Sequence, residues 1–310
     1  MECDRSRPRQ SKPAYARPGG PLARGNLEPI GPLGRRAARL ASRRPHGHNG
    51  ASLAAITEPI VQSVDARPAG KSSLYSRVLF RFIDWLRHRI AQASLVGDRP
   101  IFQNSLFPWI AALEAQTPAI RAELTALLAQ RQQLPAFHEI SPDVGMITSD
   151  DQWKTFLFMG YGLRSERNLA SCPATARALE GIPGIRSAFF SILEAGKRIP
   201  LHTGPYNGVL RLHLGLVVPE PADRCWIEVG GERYSWREGR AVVFDDLYPH
   251  QVHNDTDGLR AVLFVDFERP CRVPVKWLNR LVLRAAPFTD EIRRGKANHD
   301  AWEKGFYRHK

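Results

Sequence analysis

The sequence predicts a mainly β fold, a sheet curled into a small antiparallel barrel or sandwich with helices on its flanks. Three observations carry that expectation. From Asn207 to Val218 the residues alternate strictly, so Leu210, Leu212, Leu214 and Leu216 share one strand face and Val209, Arg211, His213 and Gly215 the other. From Ser187 to Phe267, short runs rich in Val, Ile, Leu and Phe recur between turn signals at Gly196, Pro219 to Asp223, Gly230-Gly231, Glu238-Gly239 and Asp255 to Gly258. Finally, a continuous leucine row must be buried. The opposite face can therefore carry Arg211 and His213 only where it meets water or lines a polar lumen.

Taken in order, the chain opens on residues 1–70, rich in Pro, Gly and Arg, with seven prolines in the first fifty positions. Such a stretch buries too little apolar surface to offset the entropy of ordering it, so a disordered tail is expected. Of the net charge of +13, the first fifty residues carry a surplus of eight, from ten Arg and one Lys against Glu2, Asp4 and Glu28. Almost no aromatic residues interleave with these arginines and no folded nucleic-acid motif follows, so no nucleic-acid partner is expected. The four cysteines, Cys3, Cys172, Cys225 and Cys271, show no CxxC spacing and indicate neither a disulfide framework nor a zinc site. Arg5, Arg7 and Arg9 precede no apolar run, and no window approaches the roughly 20 apolar residues of a membrane span. A cytoplasmic chain is expected, with peripheral contact with an anionic inner membrane as a further option.

Ser76 to Ala91 has helical periodicity, with Leu79, Phe82, Ile83, Leu86 and Ile90 on one face and Arg77, Arg81, Asp84 and His88 on the other. It either docks on the following domain or, with Phe80, Phe82 and Trp85, sits in a lipid headgroup layer. Thr117 as N-cap and Pro118 at the first helical position open a helix bearing Ile120, Leu124, Leu127 and Leu128, ending before Pro135. Trp153 to Tyr161 is apolar and packs on the barrel, and Pro173 to Leu179 is a short helix closed by Gly181. Strands are expected at Ala188 to Leu193, Gly208 to Val218, Arg224 to Val229, Arg233 to Trp236, Ala241 to Phe244 and Leu259 to Phe267. After Pro270, Trp277, Leu278, Leu281 and Leu283 stand among Lys276, Arg280 and Arg284, as a second surface-docking helix or as ordinary packing. The domains read as a tail over 1–70, a helical flank over 71–145, the barrel over 146–272 and a basic extension over 273–310.

The polar residues aimed into the lumen are Ser191, His202, Arg211, His213, His250 and Arg260. Three imidazoles and two guanidinium groups form a cationic pocket, and such a pocket needs an anion. Two neutral imidazoles suit a divalent iron, copper or zinc ion. Iron oxygenases with a facial triad add a carboxylate two residues after the first histidine, where this chain has Gly204. An arginine paired bidentately with a carboxylate orients a dicarboxylate. His253 reads as a hydrogen-bonded structural residue, and Arg211 taken alone reads equally as a salt-bridge partner of Asp245 or Glu228.

At these residues the sequence resembles the aspartyl/asparaginyl β-hydroxylases, iron(II)- and 2-oxoglutarate-dependent dioxygenases with a double-stranded β-helix, a jelly-roll or cupin-like barrel. The resemblance runs from Trp153 to Pro270. It rests on Ser191-Ile192-Leu193, His202-Thr203-Gly204-Pro205, the run Leu210 to Leu216, the run Glu238 to Asp246, and His250 followed ten residues on by Arg260. It implies Fe(II) on His202 and His250, with O2 and 2-oxoglutarate as co-substrates. Arg260 and Ser191 would hold the distal carboxylate of 2-oxoglutarate, Arg211 and His213 the one beside the metal, and Trp153 would line the site. The catalytic set would be His202, His250 and Arg260. Animal peptidyl-aspartate hydroxylases of this family also have Gly at the position of Gly204.

Asp223 to Val229, Gly231 to Tyr234, Trp236 to Gly239 and Phe267 to Pro270 look most like the bacterial lipid A hydroxylases, which usually have Asp in place of Gly204 and a membrane-spanning first helix. The implied substrate is an acyl chain or an Asp/Asn-like side chain. The alternatives from other classes are a non-catalytic dicarboxylate-binding barrel and an interaction protein acting through the basic tail and the Ser76 to Ala91 helix.

Overall fold

The structure, a computed structural model, describes residues 62–63 and 74–308, all within the unit Thr57–Lys310. Apart from Gln62–Ser63, the tail expected over 1–70 lies outside the described residues.

Of the barrel and sandwich alternatives, the strands form the sandwich. One sheet of seven strands runs in the order β2 (Ile101–Phe102), β10 (Ala241–Phe244), β7 (Val209–Val217), β12 (Arg260–Glu268), β5 (Ile185–Leu193), β3 (Trp153–Gly160) and β4 (Leu163–Arg164). The other runs β1 (Gln62–Ser63), β6 (Arg198–Thr203), β11 (His250–Asn254), β8 (Cys225–Val229) and β9 (Glu232–Ser235). The alternation read from β7 holds. Leu210, Leu212, Leu214 and Leu216 are fully buried on the outer face of the larger sheet. There they join Phe190, Leu263 and Val265 in one cluster.

That outer face is roofed by helices. Ile110 and Leu113 of α2 (Ile110–Ala115), Ile120 and Leu124 of α3 (Thr117–Leu128) and Leu179 of α6 (Pro173–Glu180) pack into the same cluster. The inner faces of the two sheets meet in a second cluster, with Phe189, Phe244 and Phe264 from one and Ile199, Ile227 and Val252 from the other. The predicted lumen is this space between the sheets.

Four differences from the sequence reading stand out. Two strands, β6 and β11, were not separated from their turns. Thr117 is not the N-cap of α3. Its hydroxyl donates to the Glu114 carbonyl at 2.7 Å, satisfying the end of α2, and Gln116 takes the cap position with Pro118 in the first turn. Of the apolar face expected on α1 (Leu74–Ala93), Leu86 and Ile90 are fully buried, whereas Leu79 and Phe82 are 45% and 39% exposed. Only the C-terminal half of α1 finds a partner, the cluster of Cys271 and Val275 at the start of α7 (Val275–Ala285). Finally, Gln62–Ser63 of the expected tail runs parallel to His202–Thr203 of β6, because a strand edge offers backbone donors and acceptors to any extended segment.

The exit from β12 is pinned by a buried ion pair. Arg269 donates to Asp245 Oδ2 at 2.5 Å, to the Gly97 carbonyl at 2.8 Å and to Ser94 Oγ at 3.1 Å, tying the strand end to the segment after α1. Removing one member leaves a buried charge unmatched. Arg269→Ala is expected to lower the unfolding free energy by about 3–5 kcal/mol, read from urea denaturation.

Candidate active site

His202 and His250 stand directly opposite each other on the antiparallel pair β6 and β11, with ring centroids 4.1 Å apart. Each ring is oriented by its own strand: His202 Nδ1 lies 2.8 Å from the Pro200 carbonyl and His250 Nδ1 2.9 Å from the Tyr248 carbonyl. A carbonyl only accepts, so Nδ1 carries the proton in both rings and the Nε2 lone pairs are left for another partner. Burial lowers the His202 pKa to about 4, and burial followed by the neighbouring His202 drives His250 well below its ordinary value. Both imidazoles are therefore neutral, the form that ligates a metal.

Gly204 is where a third ligand from the His-x-Asp pattern would start. A Cβ there would fall 2.2 Å from Asp246 Oδ2, and the Gly204 N–H donates to the Asp246 carbonyl at 2.6 Å. The Asp246 carboxylate thus occupies the volume of a side chain at position 204. Among the described residues no cluster of three or more His, Cys, Asp or Glu is arranged to hold a metal.

Arg260 lies on the same inner face and is 1% exposed. Its Nη1 lies 3.4 Å from both the carbonyl and the Oγ of Ser191, and its guanidinium carbon sits 4.5 Å from the Trp236 ring centroid. Trp153 Nε1 donates to the same Ser191 hydroxyl at 2.9 Å. Among the described residues Arg260 has no carboxylate within salt-bridge distance, its Nε has no hydrogen-bond partner, and burial lowers its pKa to about 10. His213, stacked 6.0 Å from Trp236, has both ring nitrogens buried without a partner, as does Trp236 Nε1. Buried polar atoms are nearly always satisfied, so this cluster of unpartnered donors around Arg260 stands out among the described residues.

Arg211 behaves differently. It donates through Nε to Asp266 Oδ1 at 2.8 Å, and its Nη1 pairs with Asp246 Oδ2 at 3.0 Å. Asp266 is its cross-strand neighbour, so the pair follows from register, whereas the partners considered from sequence, Asp245 and Glu228, are not used. Asp245 instead holds Arg269. Burial works against the Arg211 charge, but Asp246 and Asp266 hold its pKa above the ordinary value, and burial raises Asp246 to about 7 despite Arg211. His253 is a structural residue, as expected, stacked 4.2 Å from Trp226 and 3.5 Å from Asp255.

The site therefore brings His202, His250, Ser191, Arg260, Trp153 and His213 into one lumen, and Arg211 into an aspartate cluster beside it. Sequence reading missed Trp236, Asp246 and Tyr161, whose hydroxyl donates to Asp266 at 3.3 Å. Only Asp246 had a signal, its place beside Asp245 at the end of the Glu238 run.

The two-sheet sandwich thus brings an imidazole pair and a guanidinium without a carboxylate partner among the described residues to one lumen. The family model for aspartyl/asparaginyl beta-hydroxylase matches residues 114–270, and the chain belongs to that family as one of its hydroxylases. The ornithine lipid ester-linked acyl 2-hydroxylase of Rhizobium tropici is 45% identical over 240 residues, covering 77% of this chain and 85% of that protein. The human aspartyl/asparaginyl beta-hydroxylase is 31% identical over 170 residues, 53% of this chain but only 22% of that protein. A Pseudomonas putida prolyl-4-hydroxylase structure overlays with a TM-score of 0.35 at 18% identity, covering 49% of this chain and 87% of that one, too slight a likeness to inform the site.

The buried neutral His202 gives a pH signature. Its folded pKa lies below the unfolded value of about 6.5, so the unfolded chain binds the extra proton and stability falls as pH drops from 6.5 towards 4. In chelated protein, His202→Gln is expected to make that slope shallower by up to about 1.4 kcal/mol per pH unit, measured by chemical unfolding.

Proposed function

We propose that the chain is an Fe(II)- and 2-oxoglutarate-dependent hydroxylase acting at C-2 of an ester-linked acyl chain of an ornithine-type lipid. The observation that carries the cofactor part is Arg260, a sealed guanidinium with no carboxylate among the described residues, facing the same lumen as the imidazole pair. The family is one of iron and 2-oxoglutarate hydroxylases, and the residues present fit both groups. On this reading the two sheets are the family's double-stranded β-helix, with residues 146–272 as catalytic body and 71–145 and 273–310 as supports.

His202 and His250 hold the iron through Nε2, each fixed in tautomer and orientation by a backbone carbonyl. Arg260 takes the distal carboxylate of 2-oxoglutarate together with the Ser191 hydroxyl, which Trp153 keeps in position. His213 offers two unpartnered nitrogens to the carboxylate beside the metal, and Arg211 acts there as one arm of a charge network with Asp246 and Asp266. Bound iron with 2-oxoglutarate supplies oxygen activation, one atom of O2 entering a substrate C–H bond and the other leaving in succinate as carbon dioxide is lost. Phe189, Phe244 and Phe264 line the lumen and exclude water.

The substrate part rests on the Rhizobium tropici relative, whose name is that of an ornithine lipid acyl 2-hydroxylase and of which this chain covers 85%. It favours that carrier over the lipid A or Asp/Asn-like substrates that the motifs also suggest.

Arg260→Met should separate binding from stability. It is expected to lower 2-oxoglutarate-dependent succinate formation by about a hundredfold or more, and to raise the melting temperature of the co-substrate-free protein by removing an unmatched buried charge. Unchanged succinate formation would remove Arg260 from the site. His202→Ala and His250→Ala should each abolish iron-dependent succinate formation, and retained turnover in both would exclude them as ligands. Mass spectrometry of lipids from cells expressing the chain should show ornithine lipid heavier by one oxygen atom, with fragmentation placing it on the ester-linked acyl group. An unmodified lipid pool beside active succinate formation would exclude this substrate.

A further inference from the structure

Helices α1 and α7 pack on each other through Leu86, Ile90 and Val275, and each leaves a second apolar stripe uncovered. On α1, Val78, Phe82 and Trp85 recur at helical spacing with Leu79 beside them, Trp85 being 49% exposed and stacked on Phe82 at 5.8 Å. On α7, Trp277 and Leu281, one turn apart, are 67% and 66% exposed. Contiguous exposed apolar surface of this kind marks an interaction site.

We infer that the α1–α7 pair is a platform that seats the protein on an anionic phospholipid bilayer. Charge selects the occupant. The two helices carry Arg77, Arg81, Arg87, Arg89, Lys276, Arg280 and Arg284 against Asp84 within them, with Arg87 paired to Asp84 and Arg280 to Glu268 of β12, which leaves the cations in excess. A second copy docked two-fold on the same patch would set these cations against their own kind. A negatively charged headgroup layer attracts the cations while its acyl boundary accepts Trp and Phe side chains, the combination that interfacial helices use.

The platform is also wired to the site. Arg87 donates to the Pro205 carbonyl, Asn207 donates to the Arg87 carbonyl at 3.1 Å, Tyr206 donates to Asn279 Oδ1 at 2.9 Å, and Asn279 Nδ2 donates to the Gly208 carbonyl at 2.7 Å. The loop that leaves His202 and leads into β7 is therefore clamped by both helices. A bilayer beneath them would lie next to the strand ends that carry His202 and Arg211. What the platform delivers rests on the acyl-chain reading of the site; the docking itself does not.

The test is co-sedimentation of the full chain with phosphatidylglycerol-containing vesicles and with pure phosphatidylcholine vesicles, wild type against the double variant Trp85→Glu/Trp277→Glu. Both positions are exposed, and circular dichroism checks the fold. Expected are preferential binding to the anionic vesicles, weakening with added salt, and a loss of about tenfold or more in the variant. Equal binding to both vesicle types overturns the inference. So does undiminished binding by the variant, which would assign the attraction to the basic N-terminal segment, and so does a dimer that dissociates on substitution. Vesicle binding needs neither iron nor co-substrate. Wild-type protein that forms succinate but binds neither vesicle type would thus sink the platform alone, and wild-type protein that binds the anionic vesicles but forms no succinate would sink the site reading alone.

Discussion

A guanidinium sealed between two sheets without a counter-charge is the most expensive group in this fold. The penalty for burying an isolated charge runs to several kcal/mol, and among the described residues Arg260 is met by Ser191, the face of Trp236 and the nearby Cys225 rather than by a carboxylate. The apolar clusters on both faces of the larger sheet make that cost tolerable, and they also make it unavoidable, since a side chain on the inner face of a strand buried on both sides has no route to water. On the proposed function, the ligand that brings the missing charge is the distal carboxylate of 2-oxoglutarate.

Three inward-facing arginines, two of them fully buried, make the point by contrast. Arg269 is matched by Asp245 and backbone carbonyls, and it holds the molecule together at the end of β12. Arg211 is matched by Asp246 and Asp266, and it fixes charge beside the imidazole pair. Arg260 has no carboxylate partner among the described residues, and the proposed function gives it one from outside the chain. Identical chemistry thus serves structure, electrostatics and binding, and only the partners tell these roles apart.

Those partners set the limit on what could be read from sequence. The leucine row of β7 and its polar opposite face were legible because alternation needs no knowledge of neighbours, and the same holds for Arg260 on β12. The two strands carrying the histidines were not. Pro200 interrupts β6 where the pairing with β11 shifts register, and prolines are tolerated in sheets at such irregularities. β11 mixes His250, Gln251 and His253 with a single buried Val252 and shows no apolar rhythm. The pairing of Arg211 with Asp266 is a matter of register, and the orphaned Trp236 nitrogen a matter of packing, so neither has a sequence signal. The exposed half of α1 has the same origin: its periodicity announces an apolar face but not how much of that face the domain covers.

Gly204 and Asp246 bear on the chemistry of the cation position. In a facial triad the carboxylate comes from the strand that carries the first histidine, and its charge offsets the metal directly. Here that volume is filled from the opposite side by Asp246, which is already shared with Arg211. Restoring the pattern with Gly204→Asp would drive two carboxylates into one space, a clash of atoms and of charge. The packing around Asp246 and Arg211 therefore leaves no room for a side chain at position 204. The negative charge near the imidazole pair is held one step back, where the guanidinium can tune it without occupying a coordination position.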